Sequence, residues 1–111
     1  MPLQEKPLKI RYMPKFSKNL NEISSYVGRS SIIAAERLLE RIRNRIELLA
    51  EHPHIGRAAM EPVLARRGIR IIGESKYITY YAVEDEEIVV YHIRHSARRS
   101  AALSDLFDEN D

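Results

Sequence analysis

The chain has 111 residues, of which 44% are hydrophobic and 31% charged, with a formal net charge of +2 and no cysteine. That length holds one domain, the apolar fraction excludes wholesale disorder, and the missing cysteines exclude a disulfide framework, a thiolate nucleophile and a thiolate metal site. No apolar run approaches the ~18 residues of a membrane span, and Met1 to Pro7 lack the apolar stretch of a signal peptide, so a cytoplasmic protein with no membrane association is expected.

Leu8-Lys9-Ile10-Arg11-Tyr12 alternates apolar and polar residues and predicts a strand with Leu8, Ile10 and Tyr12 facing inward. Pro14 suits the first turn of a helix, where its missing N–H is not needed. Phe16, Leu20, Ile23 and Val27 then fall on one helical face, and Gly28 ends a helix over about 14–27. Ser30 or Ser31 can cap a second helix, whose stripe Ala35, Leu39, Ile42, Ile46 and Leu49 runs until His52-Pro53 stops it. Matching stripes and a short joint predict an antiparallel helical hairpin.

From His54 to Ala65 periodicity is weak, and a long surface loop is expected. Ile69 to Ile72, Tyr77 to Val83 and Ile88 to Ile93 read as three strands, joined by Gly73-Glu74-Ser75-Lys76 and by the acidic Glu84-Asp85-Glu86-Glu87. The order strand, helix, helix, strand, strand, strand predicts an α+β domain, with the hairpin laid on one face of a small, mostly antiparallel sheet. One domain spans 1–111, its core at about 8–99 and an acidic tail at 100–111. Because Asp105, Asp108, Glu109 and Asp111 give the tail four negative charges within a total of +2, the body carries a surplus of six positive charges. That surplus suggests an acidic partner or nucleic acid, or only a solvated basic surface.

The last strand delivers Arg94-His95-Ser96-Ala97-Arg98-Arg99 at its end. RNA cleavage by a 2′-hydroxyl would need a base, an acid and cations around the phosphorane. The side chains of those types are Arg67, Arg70, Lys76, Tyr80, Tyr81, His92, His95 and Arg98. His95 has the right unperturbed pKa and place for proton transfer, but it can equally bond backbone at the strand exit. Period two puts His92 with Ile88 and Val90, and Tyr91 with Ile93 on the opposite side, so Tyr91 and His92 cannot share a site without a bulge. Pro53 between His52 and His54 breaks the spacing a shared metal would require, and no metal site is expected. Arg37, Arg41 and Arg45 make an i, i+4 row on the outer face of the second helix, next to Glu36, Glu40 and Glu47 that would neutralise part of it. Tyr26 and Ile33 flank the core stripes and are left for a partner helix. Ala101 to Phe107 either frays or packs back on the domain, and its acids could screen Arg94, Arg98 and Arg99.

Taken with that element order, Leu49-Ala50-Glu51-His52-Pro53-His54-Ile55-Gly56-Arg57, then Arg67 and Arg70, then Tyr77 through Val83 and Ile93-Arg94-His95-Ser96-Ala97-Arg98 resemble the RelE/ParE superfamily of toxins from toxin–antitoxin modules, the ParE branch most. The resemblance implies a cytoplasmic toxin in a hetero-oligomer with a cognate antitoxin, reaching operator DNA only through that antitoxin, and needing no cofactor. A ParE-like member would inhibit DNA gyrase, with Arg67, Arg70, His95, Arg98 and Arg99 as the target-binding surface and Tyr26, Ile33, Arg37 and Arg41 toward the antitoxin. A RelE-like member would cleave mRNA on the ribosome, with His95, Tyr81, Arg67 and Arg70 as its catalytic set. The middle of the sheet carries Ile, Val, Thr and Tyr, with Lys76 at a turn as its nearest lysine, which favours the non-nucleolytic branch. A non-toxic module that only binds the antitoxin is the third possibility.

Overall fold

The computed structural model describes residues 6–108. The elements run β1 (Lys9–Tyr12), α1 (Pro14–Gly28), α2 (Ile32–Glu47) with a 3₁₀ turn at Leu48–Ala50, β2 (Arg57–Ala58), α3 (Pro62–Ala65), β3 (Arg70–Glu74), β4 (Tyr77–Glu84), β5 (Glu87–His95) and α4 (Leu103–Leu106). Pro14 opens α1, and Ser31 rather than Ser30 caps α2, its side chain accepting the Ala34 amide at 3.0 Å. The sheet order is β1-β5-β4-β3-β2, with β1 parallel to β5 and every other pair antiparallel.

The expected loop from His54 to Ala65 instead contains an edge strand and a helical turn, so the sheet has five strands. Two residues of β2 are too few to leave a periodic trace. They are held by what surrounds them: the Gly56 amide donates to the Tyr81 hydroxyl at 3.1 Å, which itself donates to the Pro53 carbonyl at 2.8 Å. Arg70 donates to the carbonyls of His54 and Gly56. Backbone approaches so closely here that a Cβ on Gly56 would lie 2.5 Å from the Ile71 carbonyl oxygen and 2.6 Å from the Tyr81 hydroxyl.

The sheet is covered on both faces: the hairpin lies on one, as expected, and α3 with the C-terminal segment, which packs back rather than fraying, lies on the other. On the first face Phe16, Leu38, Ile42, Ile46 and Leu49 from the hairpin pack on Ile72, Tyr81, Ile88, Val90 and Ile93. Leu38, not Leu39, carries the buried position of α2. On the second face Leu64 of α3 and Ala101 and Leu106 of the C-terminal segment pack on Ile71, Tyr80, Ala82, Val89 and Tyr91. Two-sided burial explains the unbroken apolar runs Tyr80-Tyr81-Ala82 and Ile88-Val89-Val90-Tyr91, since a strand with one wet face alternates instead. Packed structure therefore continues past residue 99 to Leu106; Glu109 and Asp111 of the acidic tail lie outside the described residues.

In β5 the pairing passes from Tyr81↔Val90 to Tyr80↔His92, so Tyr91 is an inserted bulge residue. The insertion reverses the alternation beyond it. Ile93 joins Ile88 and Val90 on the hairpin face, and His92 lies opposite Tyr80, the reverse of the expected pairing. A two-residue turn joins β4 to β5 with positive φ at both Asp85 and Glu86, the conformation that favours Asn-Gly.

Two stability changes follow. Gly56→Ala should lower the unfolding free energy by about 2–3 kcal/mol through overpacking against Ile71 and Tyr81. Glu86→Gly should raise it by about 0.5 kcal/mol by removing a left-handed non-glycine residue. Urea titrations followed by circular dichroism measure both.

Candidate functional site

Glu61 is the residue from which the site is built. It precedes α3, where its side chain could have capped the helix, but it turns inward instead. Its Oε2 accepts the Tyr80 hydroxyl at 2.7 Å and the Ala101 amide at 2.8 Å and lies 3.8 Å from Arg94 Nη2. Burial opposes ionisation of this carboxyl, but the bonds from Tyr80 and Ala101, together with the Arg94 charge, outweigh it and hold its pKa below the usual range. Burial and the same carboxylate push the Tyr80 phenol up to about 12, so Tyr80 is a fixed donor at neutral pH.

Arg94 passes this order outward. Its Nε donates to Tyr80 Oη at 2.8 Å, and its Nη1 reaches the carbonyls of His95, Ser96 and Arg98 at 3.2, 3.4 and 3.3 Å. The turn after β5 is thereby wrapped around one guanidinium, and it presents His95, Arg98 and Arg99. His95 Nδ1 accepts the Ala97 amide at 3.0 Å, which places the ring proton on Nε2, and the ring meets Tyr77 edge-on at 5.3 Å. Arg98 and Arg99 are exposed; Arg99 grips the Asp105 carboxylate through both terminal nitrogens at 3.1 and 3.3 Å.

Between this turn and α1 runs an open groove of about 1300 Å³. Lys18, Asn21, Ser25, Tyr26 and Arg29 form the helical wall, and Arg94, His95, Arg98 and Arg99 the opposite one. The residues expected to bind a target divide accordingly. His95, Arg98 and Arg99 line the groove. Arg67 lies in the turn after α3, not on a strand, with its guanidinium 5.0 Å from the Phe107 ring centre, and Arg70 is bonded to the loop carbonyls described above. Tyr81 is wholly buried, with its hydroxyl occupied by Gly56 and Pro53.

The bulge brings Tyr91 and His92 to the side of Tyr80, yet their polar atoms diverge. Tyr91 donates to Glu84, and burial followed by that bond raises its pKa. His92 Nδ1 donates to Asn19 Oδ1 at 2.8 Å, and burial lowers its pKa, which keeps the ring neutral. Of the arginine row on α2, Arg41 pairs with Glu74 of β3 at 3.6 Å and Arg45 donates to the Gly73 carbonyl at 3.3 Å, so strand β3 takes the part expected of Glu36, Glu40 and Glu47. Arg37 is exposed, as are Tyr26 at 68% and Ile33 at 62%. His52 and His54 line a shallow depression, and among the described residues no three metal-ligating side chains converge. Within the described residues no helix is long and apolar enough to cross a membrane.

A hairpin of helices on a five-stranded sheet, with a cationic turn at the end of its last strand, defines a small α+β toxin-like domain, and comparison makes the class definite. Residues 10–100 match the ParE toxins of type II toxin–antitoxin systems, parDE, and the chain belongs to that family. It is 31% identical over 80 residues to Toxin RelE2 of Caulobacter vibrioides, spanning 72% of this chain and 85% of that protein. To Toxin RelE3 of the same organism it is 28% identical over 86 residues, spanning 78% and 91%. Its fold is shared with a chain of the chromosomal ParDE system from P. aeruginosa, with a TM-score of 0.65, 18% identity, and coverage of 79% of this chain and 95% of that one. The toxin–antitoxin complex RelBE2 from Mycobacterium tuberculosis gives a TM-score of 0.57 at 14% identity, covering 87% and 100%.

Glu61 and Arg94 were not among the residues expected to form the site; the only sequence trace of Glu61 is an acid directly before Pro62. Glu61→Gln should lower stability at neutral pH by about 2–3 kcal/mol, because Arg94 loses its charge partner. The folded pKa of Glu61 is depressed, so its contribution is complete above the unfolded value of about 4.3 and is lost as pH falls through the folded pKa. The difference between wild type and variant should therefore shrink in denaturation curves taken below about pH 4.

Proposed function

We propose that this toxin blocks growth by binding DNA gyrase through the groove-facing turn after β5, and that a cognate antitoxin holds it inactive in a cytoplasmic hetero-oligomer. The observation that carries this reading is a contrast in availability. Arg98 and the far side of Arg99 face solvent, where cations can meet carboxylates or phosphate in a closing interface. Tyr81 and Arg70, half of the ribonuclease set, are bonded inward to loop backbone, and Tyr80 donates to Glu61. His95 has its Nδ1 occupied by the Ala97 amide, which supports a part in shaping the turn.

The family match supports an antitoxin as partner; on this reading operator DNA is reached through that antitoxin and no cofactor is needed. Ile32 and Ile33, exposed at the start of α2 close in sequence to the exposed Tyr26, supply apolar surface that an antitoxin can cover. Arg37 lies one turn further along α2 and extends this surface, whereas Arg41 is already engaged by Glu74. Two relatives carry RelE names, which supports keeping the RelE-like alternative, cleavage of mRNA on the ribosome, as the second reading.

Purified toxin added to gyrase and relaxed plasmid should inhibit supercoiling, while a translated message stays intact. Cleavage of the message with supercoiling unaffected would replace the first reading with the second. Arg98→Ala with Arg99→Ala should weaken inhibition about tenfold, the loss of charged contacts in a partly dried interface. His95→Asn, whose Oδ1 can accept the Ala97 amide, should stay within about threefold of wild type, since no proton transfer is required of the ring.

A further inference from the structure

We propose that the groove between α1 and the β5 exit is a docking site for an extended acidic segment of the target protein, and that the chain's own Asp105 competes for one end of it. The inference rests on the target-binding reading above and adds the chemistry of the occupant.

The groove has two cationic walls. Lys18 stands on α1 and Arg29 caps its C-terminal end, about 16 Å apart along the axis at ~1.5 Å per residue. That separation matches about five residues of extended chain. Ser25 and Asn21 lie between them and can bond a peptide backbone, and Arg98 and Arg99 face them. Lys18, Arg29 and Arg98 have no carboxylate partner among the described residues.

The protein itself supplies an instance of the recognition. The Asp105 carboxylate lines the groove and takes both terminal nitrogens of Arg99, with its pKa held down against burial by the Ala102 amide and Arg99. At the N-terminal end of α1, Lys15 donates to the Ser104 carbonyl at 2.8 Å and lies 3.2 Å from the Asp108 carboxylate. Backbone carbonyl plus carboxylate is how a cation grips an acidic peptide. The Arg99–Asp105 pair is largely exposed on the arginine side, at 73%, and exposed pairs exchange readily.

A single nucleic-acid strand fits less well. Successive bases need aromatic platforms, and Tyr26 is the exposed ring of this groove, since Tyr77 is half-buried with the His95 ring against it. Glu22 and Asp105 in the lining also interrupt the positive field that a continuous phosphate chain would follow. The exposed Ile32 and Ile33, which suit the antitoxin, lie outside the groove lining, so the target is taken as the source of the acidic segment.

Fluorescence anisotropy of the full chain with labelled hexaglutamate and labelled hexathymidylate tests this. Hexaglutamate should bind, Arg29→Ala with Arg98→Ala should weaken it about tenfold, and Asp105→Asn should tighten it about threefold. Asp108→Asn, an exposed change, should tighten it slightly and serves if Asp105→Asn melts early. No hexaglutamate binding, or binding indifferent to Arg29 and Arg98, overturns the proposal, as does tighter binding of hexathymidylate that the same pair of substitutions abolishes. The double variant should also lose retention on gyrase yet still co-purify with the antitoxin encoded beside it; the opposite pattern assigns the groove to the antitoxin and overturns the choice of source. Inhibition of supercoiling by wild type judges the gyrase reading separately, so failure of either is recognisable.

Discussion

The carboxylate of Glu61 is where the second layer of this protein is tied together. One oxygen accepts from β4 through Tyr80 and from the C-terminal segment through the Ala101 amide, and the charge of Arg94 on β5 faces it. Both ionic side chains are largely buried, at 9% and 13% exposed, so neither can recover hydration if the other is removed. The consequence reaches the surface in two steps. Arg94, fixed from behind, gathers the carbonyls of residues 95, 96 and 98, and that turn aims Arg98 and Arg99 along the groove.

Two-sided burial lets so short a chain hold this arrangement. A domain near 100 residues buries a limited share of its surface, and here both faces of β4 and β5 contribute to packed clusters. The inserted Tyr91 allows β5 to serve both layers and still turn His92 toward Tyr80. Past the bulge, the strand supplies Ile93 to the hairpin layer and Arg94 to the Glu61 knot. The C-terminal segment closes the second face with Ala101 and Leu106, and its Phe107 ring packs on Tyr91 at 4.9 Å and under Arg67.

The chain belongs to the ParE toxin family, and its polar groups divide between those bonded internally and those left at the surface. Groups able to move protons are present in number, but Tyr80, Tyr81 and Tyr91 each spend a hydroxyl on an internal partner, and burial shifts two of them away from neutrality. Among the described residues, cations and apolar side chains are left at the surface in separate places. Arg29, Lys18 and Arg98 border the groove, while Ile32 and Ile33 stand outside its lining on α2.

By itself the sequence determined the helical hairpin and four of the five strands, with bounds within two residues, because each is written in a periodic run of neighbouring residues: Phe16-Leu20-Ile23-Val27 for α1, Tyr77 to Val83 for β4. It also placed His95, Arg98 and Arg99 at a strand exit, and the family resemblance with them. Only the tertiary structure decided the rest. Two-residue β2, the bulge at Tyr91 and the choice of Leu38 over Leu39 follow from how distant surfaces fit, and no local period encodes them. The 53–56 loop engages both the Arg70 guanidinium and the Tyr81 hydroxyl, leaving Arg70 half-buried and Tyr81 wholly buried. Glu61 meets the Ala101 amide across 40 positions of chain. A carboxylate becomes a structural knot or an ordinary surface charge according to what folding brings against it, and that lies in the packing.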